Sequence, residues 1–183
     1  DAVGLSIYSD SYEYYTAEKG SDRHHRMLLN KLENLIDNPV QNKATDTITY
    51  LHQIAEKIHR RSMIFLFTDM FQHAANKDKL FAALQHLKHN KHKVVVFHVY
   101  SKSKELNFDF DNAPRKIVDV ETGEEIDLFA DNVKQNYKEI VASYFKELEN
   151  TCTQNKIKYV PVVVEENFEK IMTTYLVEKQ MFG

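Results

Sequence analysis

Strand-sized apolar runs alternate with helical stripes along most of the chain. Residues 2–8, 63–67 and 94–97 are short and almost continuously apolar. Runs of this kind predict strands that are covered on both faces, as in a parallel sheet. Between and after them, apolar residues return every three or four positions, which predicts amphipathic helices. These helical stripes lie within residues 28–36, 48–58, 80–87, 133–148 and 168–176. Ser21 or Asp22 is placed to cap the first helix, His24 and His25 start its polar face, and Asn38-Pro39 ends it.

The order of these elements predicts a three-layer α/β fold. Alternation of strands and helices is typical of a mostly parallel sheet with helices on both faces. A short extra strand is expected at 12–15, and a β-hairpin, with its turn at 121–123, is inserted at 115–128. Another strand covers 159–164, where Pro161 favours an edge position. Residues 1–183 are expected to form a single domain, with no internal repeat.

Composition narrows the classes of function. The 183 residues are 43% apolar, which suits one domain with a sizeable core. The net charge of −3 argues against a general nucleic-acid binder, because such a protein needs a basic face. The single cysteine, Cys152, excludes an internal disulfide and is expected to be a packing residue. No apolar run approaches the roughly 18 residues that span a bilayer. We expect a cytoplasmic protein.

Candidate chemistry lies at the loops that follow the strands. Ligands of open parallel sheets bind beyond the carboxyl ends of the strands, which selects the loops 9–10, 68–69 and 100–101. Asp69 draws most interest, because this carboxylate directly follows a buried apolar strand. The competing interpretation is that Asp69 caps a helix or makes a loop hydrogen bond.

Two other polar clusters are interpreted as structural. His86, His89 and His92 recur every three residues among lysines, which indicates a solvated helix end rather than a metal site. The segment 109–111 contains two aspartates but follows no buried strand, so we interpret it as a surface loop rather than a phosphoryl-transfer site. His98, inside an apolar strand, is expected to be a hydrogen-bonded core residue.

Several segments resemble von Willebrand factor A-like (vWA) domains in their order and spacing. Residues 1–10 resemble the second strand of that fold, 44–47 resemble its second metal-site loop, and 64–71 resemble the strand and loop that carry the third-loop aspartate. The whole stretch is most similar to the bacterial vWA-like family called domain of unknown function fifty-eight, where the segment 119–123 also has a counterpart. The resemblance implies a vWA/Rossmann-like fold that lacks its first strand and helix.

The resemblance also implies an incomplete metal-ion-dependent adhesion site (MIDAS). By this match Thr45 takes the second-loop role and Asp69 the third-loop role, with Asp46 and Thr47 as weaker candidates. The first-loop Asp-x-Ser-x-Ser motif is absent and would precede Asp1. Mg²⁺ or Mn²⁺ is therefore implied for the full-length protein, whereas no tightly bound metal is expected in this chain.

The implied role is protein binding without catalysis. Members of the resembled family are often encoded beside MoxR-type AAA+ ATPases, so we expect an adaptor or co-chaperone that binds the ATPase or its client. Without the central strand, either the strands at 2–8 and 62–68 pair directly or a second copy fills the gap, which would give a homodimer. No binding of nucleic acid and no membrane contact are expected of this chain.

Two alternative functions are compatible with the same sequence. A metal-dependent hydrolase or phosphatase would use acids converging near Asp69, for which Asp10 and Asp46 are the other candidates. A structural assembly module would instead use the aromatic long helix, with Tyr137, Tyr144 and Phe145 at an interface. The safer interpretation places that stripe against the core of its own domain.

Overall fold

The computed structural model divides the chain into two compact units. It describes residues 1–9, 12–38, 47–69, 76–89, 91–106, 115–118, 125–128 and 130–182. The first unit comprises residues 1–58 and 118–125, and the second comprises 59–117 and 126–183.

The first unit is built on an antiparallel hairpin. Strand β1 (Val3–Ser9) pairs with β2 (Tyr12–Lys19), and helices α1 (Asp22–Asp37) and α2 (Thr47–Lys57) follow. The predicted second strand at 12–15 is confirmed and extends to Lys19. The expectation that the first strand joins the parallel sheet is wrong, because β1 pairs with its sequence neighbour, across a connection of only two residues.

Helix α1 begins and ends where the sequence predicted. The Ser21 side chain accepts a hydrogen bond from the backbone N–H of His24 at 3.3 Å, and Asn38 is the C-cap. The ring of His24 is buried, contrary to the predicted polar face, and its Nε2 lies 2.9 Å from the Val3 carbonyl oxygen. Of the predicted apolar stripe only Leu28 is buried, and the exposed members are Leu29, Leu32 and Ile36.

Helix α2 supplies most of the buried apolar side chains of the first unit. Its inner face consists of Tyr50, Leu51, Ile54 and Ala55. The Tyr50 ring stacks on Tyr8 of β1, with ring centroids 4.9 Å apart. The Tyr50 hydroxyl also lies 3.0 Å from the Ser6 hydroxyl, so the polar end of this buried ring is satisfied.

The second unit contains a parallel sheet of three strands. In spatial order these are β3 (Met63–Thr68), β4 (Lys93–Tyr100) and β7 (Lys158–Val163). The helices of this unit are α3 (Lys77–His89), α4 (Ala130–Gln154) and α5 (Phe168–Phe182). A single π-helical turn, Lys102–Leu106, follows β4. Strands β5 (Arg115–Val118) and β6 (Glu125–Leu128) form a separate two-stranded sheet.

Side chains of β4 alternate between two covered faces. Phe97 contacts the ring of Tyr175 on α5, and Val95 belongs to the same apolar cluster. On the other face the His98 ring contacts Phe145 of α4, with centroids 4.5 Å apart. This alternation follows from the two-residue period of a strand. The predicted mixed α/β fold, with a parallel sheet flanked by helices, is confirmed at this level.

Strand β3 is covered less than the sequence predicted. Its residues Met63, Phe65 and Phe67 are 37%, 45% and 52% exposed, although a strand buried on both faces was expected. The cluster beneath α5 draws its strand residues from β4 and β7, so this helix leaves the face of β3 partly open. Pro161 lies on β7 at the other edge of the sheet, as predicted.

Cys152 and His92 are both buried in the second unit. Cys152 is buried as expected, whereas His92 is also buried and its Nδ1 accepts a hydrogen bond from the Ser62 backbone N–H at 3.1 Å. The solvated interpretation is therefore wrong for His92. Within the part of the chain that the structure describes, no helix is both long enough and apolar enough to cross a membrane.

Candidate functional site

The carboxyl ends of the parallel strands bring three loops to one edge of the second unit. Strands β3, β4 and β7 end at Thr68, Tyr100 and Val163, and they run in the same direction. The backbone N–H of Val164 donates to the Tyr100 carbonyl at 3.0 Å, which joins two of these loops. We call the residues at these strand ends (Asp69, Ser101–Glu105 and Glu165–Glu166) the carboxyl edge.

Asp69 presents an exposed side chain on an anchored backbone. The carbonyl oxygen of Asp69 accepts a hydrogen bond from Nε2 of the buried His98 at 2.7 Å. No hydrogen bond or ion pair joins the Asp69 carboxylate to any of the described residues. The alternative that Asp69 caps a helix concerns residues 70–75, which lie outside the described chain.

The hydrogen bonds of His98 determine its tautomer. A carbonyl oxygen can only accept, so Nε2 carries the proton that is donated to Asp69. Nδ1 then accepts from the Tyr159 hydroxyl on β7 at 2.6 Å. Burial lowers the pKa of His98 to about 4, and it raises the pKa of the Tyr159 phenol. The imidazole is therefore neutral at pH 7 and connects β7, β4 and the loop after β3, as the sequence predicted for a core histidine.

Glu165 fills the loop that follows β4. Its carboxylate accepts hydrogen bonds from the hydroxyls of Ser101 and Ser103 at 2.6 and 2.7 Å, and from the backbone N–H groups of Lys102 and Ser103 at 3.0 and 3.2 Å. These donors stabilise the charged form, so they hold the pKa of Glu165 well below its usual range. The π-helical turn is thus held to the end of β7 by one side chain.

Glu105 lies in the same turn, but its pKa is shifted in the opposite direction from that of Glu165. Its Oε1 accepts from the Ser101 backbone N–H at 3.2 Å, while its Oε2 is buried and has no hydrogen-bond partner among the described residues. Burial raises the pKa of Glu105, and the nearby negative charges of Asp69 and Glu165 raise it further. The carboxyl edge therefore has more carboxylates than lysines, since Lys102 and Lys104 are its only described cations, and the partly buried Glu105 is the carboxylate whose charged form is least stable.

The described residues of this edge do not by themselves form a metal site. Asp69 offers an exposed carboxylate and Glu105 one oxygen without a partner, but the hydroxyls of Ser101 and Ser103 are already engaged by Glu165. Mg²⁺ requires about six oxygen ligands in an octahedral arrangement. Nowhere in the described ranges do three His, Cys, Asp or Glu side chains form a group that fits a metal ion.

The sequence-predicted candidates are only partly placed by the structure. Thr45 and Asp46 lie outside the described residues, as do Asp10 and the segment 109–111. Thr47 is the first residue of α2 and is buried. Of the three selected loops, 68–69 and 100–101 lie at neighbouring strand ends as expected, whereas Ser9 ends a strand of the antiparallel hairpin.

Sequence reasoning missed Glu165 and the turn that it holds. The apolar strand 159–164 leads directly into Glu165, so the rule that selected the other loops also applies there. Applied to this last strand, the rule would have placed Glu165 beside Ser101. No sequence signal indicated that Ser103 and Glu105 take part, because the π-helical turn brings them back toward the strand end.

Comparison with known proteins identifies the family. Residues 1–146 match the family described as Protein of unknown function DUF58. The chain belongs to this family. The match covers both the hairpin of the first unit and strands β3 and β4 with their loops, so Asp69 and Ser101 of this DUF58 protein lie within it. No curated protein and no solved structure matches the chain.

Proposed function

We propose that this DUF58 chain is a protein-interaction module that does not catalyse a reaction, and that the carboxyl edge around Asp69 contacts its partner. The observation that carries the proposal is the contrast within Asp69: its backbone is anchored by a buried histidine, while its carboxylate is exposed and has no partner among the described residues. A charged group on a fixed backbone suits recognition, because little conformational entropy is lost on binding.

The partner class comes from the resemblance to the bacterial family called domain of unknown function fifty-eight. We propose a MoxR-type AAA+ ATPase, or a client that it acts on, with this chain as adaptor or co-chaperone. The resemblance adds Mg²⁺ or Mn²⁺ to this contact, with Asp69 and Thr45 among the ligands. That addition rests on the resemblance alone, since the described residues at the edge do not form a metal site.

The test measures binding of this chain to a MoxR-type AAA+ ATPase. Isothermal titration calorimetry would compare the wild type, Asp69→Asn and the control Glu149→Gln, each with Mg²⁺ and with EDTA. Glu149 is an exposed carboxylate on α4 of the same unit. We expect Asp69→Asn to weaken binding on the order of tenfold or more and Glu149→Gln to leave it unchanged.

Two outcomes would contradict this function. Equal affinities for Asp69→Asn and Glu149→Gln would remove the carboxyl edge from the contact. Turnover of generic phosphate esters with Mg²⁺ or Mn²⁺, abolished by Asp69→Ala, would favour the alternative of a metal-dependent hydrolase or phosphatase. Binding that is equal in Mg²⁺ and EDTA would retain the interaction surface and refute only the metal.

A further inference from the structure

A basic groove lies on the first unit, between β2 and α1. Tyr14 of β2 forms one side, and a stripe of α1 from Arg23 to Asn34 forms the other. The groove is open to solvent and has a volume of about 590 Å³. Its lining residues on α1 recur every three or four positions, so they occupy one continuous face of the helix.

The charged side chains that line this groove, among the described residues, are all cationic. Arg23, Arg26 and Lys31 line it, and no carboxylate is among its lining residues in the described part of the chain. Arg23 and Arg26 are exposed, and no ion pair joins either of them to a described carboxylate. The whole chain has a net charge of −3, so this local set of cations departs from the average surface. An anionic partner would complement it.

The groove also offers apolar surface between its charges. Met27 is 43% exposed, and the Lys31 ammonium lies 4.9 Å from the centroid of the Tyr14 ring, which fixes an aromatic wall beside the cations. Methionine adapts to varied apolar partners because its side chain is flexible. A purely ionic ligand would leave this surface unused.

The dimensions suit an extended peptide. The eleven helical steps from Arg23 to Asn34 correspond to roughly 16 Å along the axis of α1, at about 1.5 Å for each residue. An extended peptide advances about 3.3 Å per residue, so roughly five residues would span the groove. This length allows acidic side chains to meet the arginines while an apolar side chain contacts Met27.

We propose that the groove between β2 and α1 binds an acidic peptide segment of a partner protein that carries an apolar residue among its carboxylates. Arg23 and Arg26 pair with carboxylates, and Met27 and Tyr14 contact the apolar side chain. A nucleic acid fits less well, since the net negative charge of the chain repels a long polyanion and Tyr14 is the only ring among the described residues that line the groove.

The test uses fluorescence anisotropy with two labelled hexapeptides on the intact chain. One has the sequence Glu-Glu-Leu-Glu-Glu-Glu, and the other has glutamine at each glutamate position. We expect the acidic peptide to bind and the glutamine peptide to bind at least about tenfold more weakly. Raising NaCl from 50 to 300 mM should weaken binding of the acidic peptide several-fold, because exposed ion pairs are screened.

A pair of charge-reversal variants provides the control. Arg23→Glu combined with Arg26→Glu should reduce affinity for the acidic peptide more than tenfold. Lys79→Glu combined with Lys146→Glu makes the same change in net charge at exposed positions of α3 and α4 and should have a much smaller effect. A glutamate at position 23 lies in the first turn of α1, where the helix dipole favours it, so the helix should remain folded. Far-ultraviolet circular dichroism checks this.

The proposal is overturned by any of three results. The first is equal binding of the two peptides. The second is equal loss in the two double variants, which would indicate a general charge effect. The third is tighter binding of a labelled single-stranded oligonucleotide than of the acidic peptide, which would assign the groove to nucleic acid. None of these results bears on Asp69, so failure here is separable from failure of the ATPase contact.

Discussion

At the scale of single residues, His98 connects the core to the carboxyl edge. It is fully buried, neutral at pH 7 and hydrogen-bonded through both ring nitrogens, to Tyr159 and to the backbone of Asp69. A buried polar group of this kind stabilises the fold only while both hydrogen bonds are made. The position of Asp69, and with it the proposed binding surface, therefore depends on a residue that does not reach the surface.

The low pKa of His98 predicts a pH-dependent stability. Between pH 6.5 and about 4 the unfolded chain binds a proton at this ring that the folded chain excludes, so stability falls as the pH is lowered through this window. The lowered pKa of His98 corresponds to a loss of at most about 3 kcal/mol in the free energy of unfolding across this window. His98→Phe should cost about 1–3 kcal/mol at pH 7, and its deficit relative to the wild type should shrink toward pH 4. Urea unfolding across this range measures both effects.

The variant Tyr159→Phe distinguishes the effect of burial on His98 from the effect of its hydrogen bond to Tyr159. It removes the donor to Nδ1 and should cost about 1 kcal/mol. The pH dependence should persist, because burial is the largest cause of the low pKa. A deficit of His98→Phe that stays constant from pH 7 to pH 4 would show that the histidine is not kept neutral by the fold.

At the scale of elements, the π-helical turn after β4 depends on a residue more than sixty positions away. Its serine hydroxyls and backbone N–H groups converge on the carboxylate of Glu165, which is charged at neutral pH. Hydrogen bonds to a charged acceptor are stronger than those to a neutral one. The turn is therefore ordered by a tertiary contact, since five residues alone do not form a stable helix.

Glu165→Gln should loosen this turn without unfolding the unit. The amide retains one acceptor oxygen but loses the charge and half of the acceptor capacity. We expect hydrogen exchange at the N–H groups of Lys102 and Ser103 to become faster, on the order of tenfold. Glu166→Gln is the matched control at the neighbouring position. Equal protection in the two variants would contradict the assigned role of Glu165.

At the scale of the whole molecule, the open face of β3 is the strongest candidate for self-association. Met63, Phe65 and Phe67 are partly exposed on one face, and among the described strands β3 pairs only with β4. An unpaired strand edge beside apolar side chains favours pairing with another chain. The homodimer expected from the sequence therefore stays a prediction, with a defined surface to test.

Phe65→Lys should weaken that association. Sedimentation equilibrium of the wild type should give a mass near twice the 21.5 kDa of one chain, and the variant should raise the dimer dissociation constant roughly tenfold or more. Ile140→Lys, at a position of α4 that is 68% exposed, is the control and should leave the mass unchanged. A wild type that sediments as a monomer at all concentrations would refute the homodimer.

Much of the fold could be predicted because local signals are strong. The cap at Ser21, the stop at Asn38 and the buried run of β4 depend on residues near in sequence, and each is where it was expected. The partner of β1 was not predictable in this way, since an apolar strand pairs equally well in either sheet. The site was predicted only as far as Asp69 and Ser101, which directly follow apolar strands.

The sequence by itself determined most strands and helices and placed Asp69 and Ser101 at strand ends, because periodicity and capping are local properties. Only the tertiary structure decided which strands pair and which face of β3 stays open. It also decided the position of Glu165, held by Ser101 and Ser103, and the arrangement of the groove between β2 and α1. The physical reason is that burial and hydrogen bonding join residues distant along the chain, whereas a pattern records only neighbours.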